Sequence, residues 1–137
     1  MSADDEVAAE WLSVAESDLA AANKLSSADF GDAVLYHCQQ SAEKAVKAFL
    51  ASQRQRNQKT HDIPRLLRQA ESLSPGFATF IDDAAWVCDR AFRYRYPDRG
   101  ELEFPDSDDE QRGLQLATDV LSFVKSRLPP PEDEDED

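Results

Sequence analysis

Apolar residues recur at intervals of three and four along most of the chain, and five stretches carry the pattern of helices that bury one face. The most strongly patterned runs from Phe30 to Ser52. On a 3.6-residue period Phe30, Val34, Cys38, Ala42, Ala45, Val46 and Phe49 fall on one broad arc, with Leu35, Ser41 and Ala48 filling it. An arc that wide suits a helix touching more than one neighbour. The opposite arc collects Tyr36, His37, Gln40, Glu43, Lys44, Lys47 and Arg54, a continuous polar strip that is either solvated surface or a site.

The other elements follow in order. Ala8, Trp11, Ala15, Leu19 and Ala22 predict a helix from about Asp4 to Ser26, with Asp4, Asp5 and Glu6 at its positive end. Ser27, Ala28 and Asp29 leave only a short connection, so the second helix returns antiparallel. After the polar loop QRQRNQKT, His61-Asp62-Ile63-Pro64 starts a short third helix buried through Leu66, Leu67, Ala70 and Leu73. Ser74-Pro75 reads as cap and first residue of a fourth, in which Phe77, Ile81, Ala84, Cys88 and Ala91 face inward and which ends between Arg93 and Tyr96. Ser107-Asp108-Asp109-Glu110 has the form of a capping box for the last helix, whose stripe is Leu114, Ala117, Leu121, Val124 and Leu128. Pro129, Pro130 and Pro131 stop it, and the acidic run beyond is expected to be disordered. The fold class is therefore all-α: an up-and-down four-helix bundle core with one short extra helix, over residues 1–128, followed by a Pro/acidic tail at 129–137.

Composition sharpens this. A chain of 137 residues with 41% hydrophobic residues makes one domain with a sizeable core. Cys38 and Cys88 lie in apolar patterns with no CxxC or Cys/His cluster, which predicts reduced, buried thiols and no metal site. There is no leader-like N-terminus and no apolar run near the ~20 residues of a membrane span, so a soluble cytoplasmic protein is expected. The net charge of −13 argues against a general nucleic-acid coat protein. Yet six of the 28 acidic residues lie in the terminal EDEDED, whereas Glu43 to Arg68 holds seven basic residues against Glu43 and Asp62. A local basic region survives on an acidic protein.

Three places offer chemistry. His37, Gln40, Lys44 and Lys47 fall within about a 90° sector of the second helix by the 100° step, so they can meet one phosphate, base edge or carboxylate together. Equally, Glu43 and Lys47 form the i, i+4 pair of an ordinary exposed helix. Arg90, Arg93, Tyr94, Arg95, Tyr96 and Arg99 interleave guanidinium and phenol groups that can stack on bases and clamp phosphates, or else pair with carboxylates and plug the bundle end. His61, followed by Asp62, is either a general base oriented by a carboxylate or part of a capping arrangement.

QQSAEKAVKAFL, then THDIPRLL, then RYRYPD, in that order and spread over the chain from about Trp11 to Leu128, resemble a small prokaryotic HEPN domain (higher eukaryotes and prokaryotes nucleotide-binding). The resemblance implies a helical bundle and a module that handles nucleotide or RNA. It also implies a homodimer acting beside a separately encoded minimal nucleotidyltransferase, as in a toxin–antitoxin system, with no cofactor and no membrane. In many members, which are RNases, the motif is an arginine, a polar residue and then a histidine, with four to six residues between the arginine and the histidine. No histidine follows Arg90, Arg93, Arg95 or Arg99, and the nuclease-like string present is Arg56-Asn57 with His61, in a loop rather than at the family's helical site. The leading reading is a non-catalytic nucleotide- or RNA-binding module. His37, Gln40, Lys44 and Lys47 form one wall of its cleft, and Arg93, Arg95 and Tyr96 the other. The alternatives are a metal-independent RNase toxin using Arg56 and His61, or a purely structural dimeric interaction protein.

Overall fold

Each predicted amphipathic stretch forms a helix: α1 (Ala3–Leu25), α2 (Gly31–Ser52), α3 (Ile63–Leu73), α4 (Ile81–Arg95) and α5 (Ser107–Arg127), with a 3₁₀ turn at Phe77–Phe80. These come from a computed structural model that describes residues 2–95 and 104–129, with no strand among them. Tyr96, Arg99, Pro130, Pro131 and the acidic run from Glu132 lie outside the described residues, as do the side chains of Tyr94 and Arg95. The result is an all-α helical bundle organised on α2, which packs against α1, α3, α4 and α5. The wide apolar arc of α2 has the expected consequence: Val34, Leu35, Cys38, Ala42, Ala45, Val46, Ala48 and Phe49 are all buried. Phe30 departs from that arc. It precedes the helix and is 52% exposed, because the chain turns there through left-handed backbone at Ser27 and Asp29.

Local capping fixes several ends differently from the sequence pattern. The last helix is capped by Asp106 rather than Ser107: Asp106 accepts from the Asp109 amide at 2.8 Å and Asp109 accepts from the Asp106 amide at 3.2 Å. Glu110, expected to close that box, is buried instead and accepts the amide of Ser27 at 3.2 Å, tying the α1–α2 turn to α5. Ser74 ends α3 through its amide to the Ala70 carbonyl and does not begin a helix. Glu71 folds forward to accept the amides of Gly76 and Ala78 at 2.8 and 3.2 Å, so a 3₁₀ turn intervenes before α4. Leu73, assigned to the buried stripe, is 42% exposed at the last residue of the helix.

Gly76 holds this turn. Its φ of +118° is backbone that side chains rarely adopt, and a Cβ there would lie 2.6 Å from the ring of Phe123. Gly76→Ala is expected to lower stability by about 1–3 kcal/mol, read as a drop in the thermal midpoint. An unchanged midpoint would mean that the turn relaxes freely.

Of the two thiols expected to be buried, Cys38 is in the core and Cys88 is half-buried against it. Burial, and then the carboxylate of Glu110, push Cys38 from 9.0 up to about 12. Burial also pushes Cys88 up, to about 11, against hydrogen bonds from the Ile63 backbone and Gln39, with the charges of Asp62 and Glu43 adding to the rise. The folded protein therefore keeps its thiols protonated where the unfolded chain ionises them. The stability they contribute is intact below pH 9.0 and is lost as pH rises through about 11 and about 12. The urea midpoint should fall across that window, and a Cys38→Ala, Cys88→Ala variant should show a smaller fall.

Candidate functional site

The polar strip of α2 runs between α1, which supplies Asp18 to it, and the α2–α3 loop, which supplies His61, and this half-buried track forms a furrow. α2 packs against α1, α3, α4 and α5, while α1 also meets α5 and α3 meets α4. From Gly31 to Ser52 every α2 residue is buried or half-buried, so the strip is not the solvated face of a surface helix.

Two carboxylates organise it, each gathering one histidine and one lysine. Asp18 of α1 accepts from His37 Nδ1 at 3.0 Å and from Lys44 Nζ at 2.8 Å. His37 and Lys44 are two turns apart and so lie one above the other, which lets one carboxylate from the antiparallel neighbour reach both. Gln40, half-buried, falls between them along the strip. One turn further, Glu43 accepts from Lys47 Nζ at 3.1 Å and from His61 Nδ1 at 3.0 and 3.2 Å. The Glu43 and Lys47 side chains are 3% and 7% exposed, and the Lys47 ammonium lies 5.4 Å from the centre of the Trp11 ring. An ionised carboxylate can only accept, so each histidine donates from Nδ1, and in the neutral form of the ring Nε2 is left as an acceptor.

His61 is thus oriented by a carboxylate, though not by its neighbour. Asp62 caps α3, accepting the Arg65 amide at 3.1 Å, and that leaves His61 to turn back to Glu43. The His61 side chain remains 76% exposed beyond this contact. Arg56, on the same loop, lines a small cleft with Asn57, Gln58, Gln55, Trp11 and Lys47. Arg56 and His61 therefore flank one buried lysine–carboxylate pair from two directions, a relationship that the spacing of the string does not reveal.

The second expected wall is described only in part. Arg93 is 62% exposed and pairs with Asp89 of its own helix at 3.4 Å, and Asp89 also receives Arg90 at 2.7 Å. The backbone of Arg95 ends α4, and Tyr96 lies beyond it. Where α4 meets α2, Cys88 is hydrogen-bonded by Gln39, which lies outside the strip. Sequence reasoning missed Asp18 and Trp11 as parts of the site, and placed Glu43 only as the helical partner of Lys47. The i, i+4 spacing carried the Glu43–Lys47 pair, but nothing local signals a partner 18 or 26 residues away. It also missed Trp86, which has Arg90 and Arg112 at 5.2 and 4.3 Å from its ring centre. Among the described residues no group of three or more His, Cys, Asp or Glu is placed to hold a metal ion, and no helix is long and apolar enough to cross a membrane.

The chain matches the HEPN domain family over residues 8–127. Its fold is similar to that of an archaeal HEPN homologue, with a TM-score of 0.71 and 26% identity over 89% of this chain and 98% of that one. A protein from Thermus thermophilus shares the fold with a TM-score of 0.80, at 23% identity over 88% of this chain and 98% of that one. No curated protein matches.

Proposed function

The chain belongs to the HEPN domain family, and on that footing we propose that it is a non-catalytic nucleotide- or RNA-binding module whose contact surface is the furrow over α2. The observation that carries this is the pair of carboxylate-anchored clusters, Asp18 with His37 and Lys44, and Glu43 with Lys47 and His61. Each ammonium donates one hydrogen bond to its carboxylate and has other N–H groups for a ligand, and each imidazole is already oriented, so little freedom is lost on binding. Lys44 is partly exposed, and Lys47 lines the cleft beside Arg56, so phosphate oxygens can approach both ends of the strip. Arg93, Arg95 and Tyr96 complete the opposite wall in this reading. The module acts as a cytoplasmic homodimer beside a separately encoded minimal nucleotidyltransferase, in a toxin–antitoxin arrangement.

The test is a titration of the purified protein with ATP and with a short single-stranded RNA, with product formation followed on the same samples. Saturable binding without turnover is expected. A folded Lys44→Ala, Arg95→Ala variant should bind at least about tenfold more weakly, the value of a lost charge-assisted hydrogen bond. Unchanged binding would count against both walls. Absence of any binding would leave a structural dimer as the account.

One observation favours a second reading, a metal-independent RNase. Glu43 holds His61 in the tautomer whose free Nε2 can take a proton from a 2′-hydroxyl, and Arg56 is a cation near enough in the chain to stabilise the developing phosphorane charge. RNA cleavage that survives chelation and is abolished by His61→Ala would establish it.

A further inference from the structure

Part of the exposed positive charge of this acidic protein is already neutralised. Arg54 pairs with Asp4, Arg90 and Arg93 with Asp89, Arg112 with Asp83, and Lys125 with Glu16. Arg127 is engaged by the Pro75 carbonyl and the Phe123 ring. Arg56, Lys59, Arg65 and Arg68 are different: all are exposed, and none has a carboxylate partner among the described residues. Lys24, at the α1–α2 turn and so at the opposite end of α2, shares that condition.

These four residues fall on one loop–helix segment, whose two ends Gln69 ties together by donating to Gln55 Oε1 at 3.4 Å. Arg56 and Lys59 lie on the loop between α2 and α3, and Arg65 and Arg68 are one turn apart on the outer face of α3. The acidic groups that could quench them are committed elsewhere. Asp62 caps α3, Glu71 caps the following turn, and Glu43 is buried on Lys47 and His61. Within the same run His61 is exposed, and Asn57 and Gln58 line the Trp11 cleft beside Arg56.

We infer that Arg56, Lys59, Arg65 and Arg68 form a docking surface for the phosphate backbone of single-stranded RNA, which leads the strand to His61 at the edge of the furrow. This rests on the nucleotide or RNA reading above and gives it a place and a polarity. Arginine predominates, as suits paired hydrogen bonds to phosphate oxygens. The patch is also poor in the apolar anchors that protein interfaces use: of the exposed large apolar side chains, Val7 lines the cleft beside Arg56 and Leu73 ends α3.

The test uses the full chain, a labelled short oligouridylate and a polyglutamate of matched charge, each titrated over a range of salt. Oligouridylate should bind in preference to polyglutamate, with affinity falling steeply as salt rises. Arg65→Glu, Arg68→Glu should weaken it by about tenfold or more and flatten the salt slope by about 1.4, two backbone contacts at ~0.7 each. Lys24→Glu should change it by less than about threefold, since it lies beyond the screening length. Because a variant can fail for other reasons, amide shifts of the wild-type protein with oligouridylate provide a second readout, expected to concentrate between residues 53 and 69. Oligouridylate binding that is unaffected in the double variant, with shifts elsewhere, overturns the docking surface but leaves the module reading standing. Equal binding of polyglutamate overturns it in favour of an acidic protein partner. No oligouridylate binding at low salt overturns it as well, while the ATP titration judges the module reading separately.

Discussion

Glu43→Ala is expected to destabilise the protein by about 3–5 kcal/mol, the cost of removing one partner from a buried ion pair. The Lys47 side chain is 7% exposed, and Glu43 is its carboxylate. Without it the ammonium must either remain uncompensated beside Trp11 or be pulled toward the cleft that it already lines, at the expense of its packing. The same substitution frees His61, whose position against α2 depends on that carboxylate. Urea denaturation of Glu43→Ala, Lys47→Met and the double variant is the measurement. The double variant should recover much of the loss, because replacing both charges by apolar groups leaves nothing stranded. A Glu43→Ala protein as stable as the wild type would show that Lys47 finds another partner at no cost.

Phe49→Ala should cost a similar amount, about 3–5 kcal/mol, for a different reason. Phe49 is 1% exposed, and its ring centre is 4.6 Å from that of Phe77, which in turn meets Phe123 edge-on at 4.8 Å. The cavity would open where α2, the 3₁₀ turn and α5 converge, and the turn is held by Gly76 against the same Phe123. Collapse around the gap is therefore restricted on three sides. Leu121→Ala, in the same core cluster, should lose about 2–5 kcal/mol. If neither variant shifts the thermal midpoint, the inward faces assigned to α2 and α5 are wrong.

The helices themselves were legible from periodicity because a helix needs only its own sequence to define a face. The arc of α2 apart from Phe30 and the stripe of α5 apart from half-buried Leu128 are buried where the 3.6-residue period places them, and in α1 the alanines are buried while Trp11 and Leu19 are half-buried. Their ends were less so. Ser107, Asp106 and Ser74 are all competent caps, and the choice fell to side chains that compete for them: Glu110 turned inward to the Ser27 amide, and Glu71 turned forward to the 3₁₀ turn. Capping chemistry says which residues can cap, and the local competition for donors says which ones do.

The candidate site divides along the same line. That His37, Gln40, Glu43, Lys44 and Lys47 share one strip follows from residue spacing alone, as does the i, i+4 contact of Glu43 with Lys47. That the strip lies in a furrow, that Asp18 holds His37 and Lys44, and that Glu43 rather than Asp62 orients His61 depend on where neighbouring helices pass. Periodicity fixes the direction in which a side chain leaves its helix and is silent about what stands opposite. The burial that turns a surface-like pair into a desolvated one comes from α1, α3 and α4 closing around α2, a matter of packing between segments distant in sequence.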